Sequence, residues 1–252
     1  MTESPRTPTR PALRAALTLA VVGALGLGGL LALRAVTAER IAEQQRAAAL
    51  RALAVLLPAG FDNDPEADRL LVQAPAWLGS EDALVVRRAR RDGVLLAFVI
   101  EAVAPDGYNG DIRMLIGVDA LGRMIGVRVV EHRETPGLGD GIEADRGPWA
   151  AQFVGRSLDD PQADAWRVRR DGGDFDQLAG ATITPRAVIG AVRRALQFIE
   201  AHGDALDDAE AGATLGFRDA PPLEAVRDQP TLPPLESVRD QPTSPPLPEN
   251  AR

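Results

Sequence analysis

The order of apolar and polar positions divides the chain into an unbroken hydrophobic run, a zone of alternating strands, an amphipathic helix and a proline-spaced tail. The first run is "AALTLAVVGALGLGGLLAL", residues 15–33, uncharged throughout and bounded by Arg14 and Arg34. At about 1.5 Å rise per residue it is long enough to cross a hydrocarbon core of roughly 30 Å. Its glycines are tolerated in a spanning helix, because lipid enforces the backbone hydrogen bonds. Arg6, Arg10 and Arg14 precede it, which predicts a cytoplasmic segment over 1–14 and export of the remaining chain. A cleaved signal peptide ending at "VTA" (36–38) is the alternative. Against it, the apolar run exceeds the ~7–15 residues of a signal core. Residues 34–60 then read as a helical connector: "ERIAEQQRAAALRALAVLL" (39–57) has high helix propensity and meets Pro58.

From 61 to 205 the periodicity predicts a folded domain. Strands are expected at "LLV" (70–72), "ALVVRRAR" (83–90), "VLLAFVIEAVA" (94–104), "DIRMLIGVD" (111–119) and "RMIGVRVVEHR" (123–133). Asp92-Gly93 and Gly122 supply the hairpin turns between neighbours. In "PWAAQFVGRS", Trp149 and Phe153 share a helical face suited to core packing. "AWRVRR" (165–170) reads as a further short strand. "PRAVIGAVRRALQFIEAH" (185–202) is an amphipathic helix with Val188, Ile189, Val192, Leu196 and Ile199 on one side. Strands and helices are mixed and joined mostly by hairpins, which predicts an α+β fold.

Residues 206–252 differ in kind. "PPLEAVRDQPTL" (221–232) is followed by "PPLESVRDQPTS" (233–244), a twelve-residue duplication. Apolar groups are too few there to offset the entropy of ordering, and proline blocks helix and central strand. A disordered, partly polyproline II extension is expected.

Composition narrows the chemistry. The formal charge is -8, which argues against nucleic acid, whose binding requires a basic excess. There are no cysteines and only two histidines, His132 and His202. Cysteine-ligated iron–sulfur clusters, covalent haem, disulfides and thiol catalysis are excluded. A histidine-rich metal site is not expected, a carboxylate-only one stays open, and no metal ligand is assigned. No catalytic triad or carboxylate pair is recognisable, so no residue is assigned as catalytic.

Three segments carry candidate binding chemistry. In "GGDFDQLAGATITPRAV" (172–188), Thr184-Pro185 predicts a helix start, with threonine as N-cap and proline at the first helical position. The free N–H groups and positive end of that helix favour an anion such as phosphate near Ala181 and Thr182. Gly180 leaves room beside the backbone, although a merely capped helix after a polar loop gives the same local pattern. In "HRETPGLGD" (132–140), Pro136-Gly137 suits a tight turn and Gly139 adds a second permissive position. Leu138 is expected to be exposed unless a ligand or neighbouring loop covers it. Glu134 at the strand end is either a general base or a surface carboxylate or cap. The third segment, "APDGY" (104–108), is by itself a turn after a strand.

Together, and in this order behind an N-terminal anchor, these segments resemble the G subunit family of the Rnf electron-transport complex, over roughly residues 11–202. A more distant likeness is to the C subunit of the sodium-pumping NADH:quinone oxidoreductase. The resemblance implies a periplasm-facing FMN domain on one anchor in a bacterial inner membrane. It further implies FMN joined through its phosphate to the last residue of an Asp-x-x-(Ser/Thr)-Gly-Ala-Thr motif. Here the match is Asp176, Ala179, Gly180, Ala181 and Thr182, with Ala179 departing from the usual hydroxyl residue. Thr182 is then the attachment residue, a flavin transferase makes the bond from FAD, and Thr184 is left as the cap. The loop bearing Glu134, Thr135, Gly137, Leu138 and Gly139 is expected close to the flavin. The implied activity is electron relay beside partner subunits in an ion-translocating ferredoxin:NAD oxidoreductase; a membrane-anchored FMN redox sensor is the other reading.

Overall fold

A computed structural model describes residues 10–221. The expected cytoplasmic N-terminal segment therefore lies outside the described residues except for 10–14, as does the duplicated tail beyond residue 221. Helix α1 runs unbroken over Arg10–Leu56. The apolar run and the connector are thus one helix, in which Leu17–Ala38, with a mean hydropathy of 2.0, is long and apolar enough to span a membrane.

Five strands follow: β1 (Arg69–Gln73), β2 (Leu84–Arg91), β3 (Val94–Ala104), β4 (Ile112–Asp119) and β5 (Met124–Glu131). A short helix α2 (Pro75–Leu78) separates the first two. Helix α3 spans Ile183–Asp208, and a last strand β6 covers Thr214–Gly216. The sheet order is β5-β4-β3-β2-β1-β6, antiparallel except for the parallel β1–β6 pair. The expected hairpin at Asp92-Gly93 forms with φ of 51° and 79° at its two residues, the left-handed pair that matches strand twist.

One sheet face is covered by α3. Val188, Val192, Leu196 and Phe198 pack with Phe98, Ile100, Met114 and Ile116 in the main core. The other face receives the last turns of α1: Leu53 and Leu56 close over Val99 and Leu115. Gly117 lets that helix end approach, because a Cβ there would stand 2.9 Å from the Leu56 carbonyl oxygen. Architecture and class are the mixed α+β arrangement expected from the alternation.

Three local expectations are corrected. Residues 165–170 are not a strand: 3-10 turns occupy Ala163–Ala165 and Arg169–Asp171, and Val168 makes a single bridge to Phe175. The alternation there is real but serves a buried loop, in which Val168 is buried and Trp166 joins an aromatic cluster with Phe153 and Phe175. The long helix begins at Ile183, one residue before the expected Thr184 cap, and runs past 205 to Asp208. Beyond it, β6 and Phe217, which packs on Phe198 and His202, show that residues 206–217 belong to the fold rather than to a tail. The α3 C-terminus is held by the buried Arg88 of β2, whose guanidinium donates to the carbonyls of Leu206, Asp207 and Ala209 and pairs with Asp68.

Candidate functional site

The three motif segments, far apart in sequence, meet at the N-terminus of α3. β3 delivers 104–110, β5 delivers 132–140, and the loop of 3-10 turns delivers 176–182. Their meeting point is Glu134, which is 5% exposed. Its Oε1 accepts the backbone N–H of Asn109 at 3.1 Å, and its Oε2 accepts the Thr184 hydroxyl. The Asn109 side-chain amide also donates to Thr135 Oγ1 at 3.3 Å. Glu134 is therefore neither a surface group nor an exposed base; it joins one loop to another and both to α3.

The 132–140 loop is tightly wound. The Thr135 carbonyl accepts the N–H groups of Leu138 and Gly139, and Gly137 donates to Asp140 Oδ1 at 2.8 Å. Gly137 takes φ of 79°, which a side-chain-bearing residue adopts only with strain. Gly139 is required for space: a Cβ there would lie 2.9 Å from Glu134 Oε2 and 3.1 Å from Thr184 Oγ1. Upstream, the Glu134 N–H donates to His132 Nδ1, so the neutral ring carries its proton on Nε2 and donates it to Glu143 at 2.8 Å.

The segment before α3 is pinned at its start. Asp176 donates its N–H to Gln152 Oε1 and accepts the Trp149 indole N–H at its carbonyl, while its carboxylate pairs with Arg169 at 2.9 Å. A turn then bridges Leu178 to Ala181 with Gly180 at φ of 77°. A Cβ on Gly180 would meet Leu138 Cδ2 at 3.0 Å, so the neighbouring loop partly covers Leu138, which stays about half exposed. Thr182 caps α3 by position but not by hydrogen bond.

The two threonines are thereby separated. Thr184, the expected cap, lies instead inside the helix, 1% exposed, with its hydroxyl committed to Glu134. Thr182 is only partly buried, and among the described residues no hydrogen bond engages its hydroxyl. Arg186, one turn further on, is held by Asp171 through two bonds of 2.6 and 2.7 Å, which pull the Asp171 carboxyl below its ordinary range. Deeper along α3, burial pushes the Arg194 guanidinium down, opposed by the charge of Asp106 in the 104–108 segment. Among the described residues no cluster of metal-ligating side chains occurs. Asn109 and Gln152 carry no recognisable sequence signal, since one acts through a backbone N–H and the other supports the loop from a distant turn.

Comparison with known proteins gives the geometry its context. Residues 107–197 match the model of an FMN-binding domain, and residues 1–56 match that of the RnfG N-terminal region. The chain is 47% identical over 205 residues to the G subunit of the ion-translocating oxidoreductase complex of Pseudomonas aeruginosa, covering 81% of this chain and 96% of the relative. It belongs to this G subunit family. Proteins of the same name from Shewanella amazonensis and Vibrio cholerae are 46% identical over 167 residues and 40% identical over 186. These alignments cover 66% and 74% of this chain, and 78% and 89% of those relatives. Within the FMN-binding match fall Asn109, the Glu134 loop and the whole Asp176–Thr184 segment, the same residues that converge at α3.

Proposed function

We propose that the chain is a membrane-anchored flavoprotein subunit that carries FMN esterified through its phosphate to Thr182 and relays electrons within an Rnf-type ion-translocating complex. The observation that carries this reading is the contrast between the two threonines. Of the pair, Thr182 alone has a partly exposed, uncommitted hydroxyl at the N-terminus of a long helix. A phosphodiester there gains from the free N–H groups and positive dipole end of α3. Gly180 and Ala181 keep the approach low, and Asp176 is set beside them by Trp149 and Gln152.

The flavin supplies the redox chemistry; the chain supplies position and electrostatics. Leu138 and Thr135, on a loop shaped by Gly137 and Gly139, offer an apolar and a hydroxyl contact beside the attachment point. Leu17–Ala38 anchors the domain in the bacterial inner membrane, with the basic N-terminus in the cytoplasm and the sheet domain in the periplasm. Other subunits of the complex are its electron partners, and a flavin transferase is its maturation partner.

Intact-mass spectrometry after coexpression with such a transferase tests this. The expected result is an added FMN phosphoester on the Thr182 peptide, lost in Thr182→Ala and retained in Thr184→Ser. Flavin absent from the wild type, or retained in Thr182→Ala, rejects the assignment.

A further inference from the structure

Glu134 is a buried carboxylate placed where the 104–110 and 132–140 loops meet the first turn of α3. Both of its oxygens are engaged, Oε1 by the Asn109 backbone N–H and Oε2 by the Thr184 hydroxyl. A Cβ at Gly139 would stand 2.9 Å from both Glu134 Cβ and Oε2, so the glycine leaves the carboxylate its room. Burying a carboxylate is costly unless its oxygens are hydrogen-bonded, so the two bonds are what hold it there. A surface helix cap needs neither the burial nor the second loop.

We propose that Glu134 is the positioning residue of the flavin site: it clamps the Asn109 and Thr135 loops to α3, and its negative charge holds the flavin's reduction potential down. The inference rests on the flavin reading above. The clamp acts on Thr182 from two residues away: Thr184 is fixed by its hydroxyl, so the first turn of α3 and the residue ahead of it are fixed too. The charge acts through space. Adding two electrons and one proton to a flavin adds one net negative charge to its ring. A carboxylate buried beside the site opposes that addition in a medium that screens it poorly. Glu134 makes no hydrogen bond to Thr182; it works through Thr184, through the loop and through its field.

The test uses the full-length protein coexpressed with a flavin transferase and purified in detergent, as wild type, Glu134→Gln, Thr184→Val, Thr184→Ser and Gly139→Ala. Because the tether is covalent, flavin that has been attached stays attached when the clamp is broken, and its environment can be read. Glu134→Gln keeps the shape and removes the charge. It should favour the reduced flavin about tenfold, a rise of ~30 mV for a two-electron couple. Thr184→Val and Gly139→Ala should loosen the site, seen as lower fluorescence anisotropy of the bound flavin, with Thr184→Ser restoring the wild-type value. Flavin present on Thr182 with potential unchanged in Glu134→Gln and anisotropy unchanged in Thr184→Val overturns this proposal alone. A wild-type protein without flavin on Thr182 overturns the flavin reading and the proposal with it.

Discussion

The indole N–H of Trp149 donates to the backbone carbonyl of Asp176 at 2.6 Å, tying the aromatic cluster to the segment that ends at Thr182. Trp149 is buried edge-on against Phe153, which stacks on Phe175 one residue before Asp176. The turn that presents Thr182 is thus held from behind by packing and from the side by one strong bond. Trp149→Phe keeps much of the packing and leaves the carbonyl unpaired. The expected cost is about 1–3 kcal/mol of unfolding free energy, with faster amide exchange confined to 176–181. A urea midpoint equal to that of the wild type would count against the assignment.

Arg88 is a second interior polar group with a defined task. It is 2% exposed, and it caps the last carbonyls of α3 while pairing with Asp68. Arg88→Met fills the space but takes the donor from the Leu206 and Ala209 carbonyls, while Asp68 and the Asp207 carbonyl keep Arg90. Each buried carbonyl left without its donor costs about 1–3 kcal/mol. Arg88→Lys keeps the charge yet loses the fork, and should fall between wild type and Arg88→Met in urea denaturation. Equal stability of all three would contradict the capping role.

Strand alternation, the Asp92-Gly93 turn and the amphipathic face of α3 were legible in the sequence because each is a local rule repeated over many residues. The stretch at 165–170 alternates just as a strand does; only the absence of a partner edge distinguishes it, and that is a tertiary fact. Thr184-Pro185 has the composition of a helix start, yet α3 begins at Ile183 because Glu134, fifty positions away, offers the Thr184 hydroxyl a better partner than the helix N-terminus does. The candidate loops were recognisable through their glycines. Their convergence on one carboxylate was not, because Asn109 contributes a backbone group that any residue except proline possesses.

Where α1 meets the sheet, the fit depends on a missing side chain. A Cβ on Gly117 would lie 2.9 Å from the Leu56 carbonyl oxygen, 3.0 Å from Leu56 Cβ and 3.3 Å from Ile125 Cβ. The first of these is backbone and cannot rotate away. Gly117→Ala should push the helix end off Val99 and Leu115, costing about 1–3 kcal/mol. Limited proteolysis reads the displacement directly: cleavage near residues 56–61 should quicken while the β3–β4 region stays protected. Identical digestion patterns would show that the contact carries no strain.

The Asp171–Arg186 pair makes stability near the site dependent on pH, and the sign is fixed. Arg186 bonds the Asp171 carboxylate through two N–H groups and lowers its pKa from 3.8 in the folded protein. A depressed folded value means that the contribution is fully present above the unfolded pKa. It is lost as pH falls through the folded one, below which the carboxyl is neutral in both states. Both side chains are roughly a third exposed, so the pair contributes only about 1 kcal/mol. Asp171→Asn should therefore destabilise the protein by that amount at pH 7. The difference from wild type should shrink steadily below about pH 4 and vanish once Asp171 is protonated in the native state. Denaturant titrations of the two proteins from neutral pH into acid measure the gap. A gap that persists unchanged in acid would mean that the effect of the substitution is steric and that the ion pair does not staple this loop to α3.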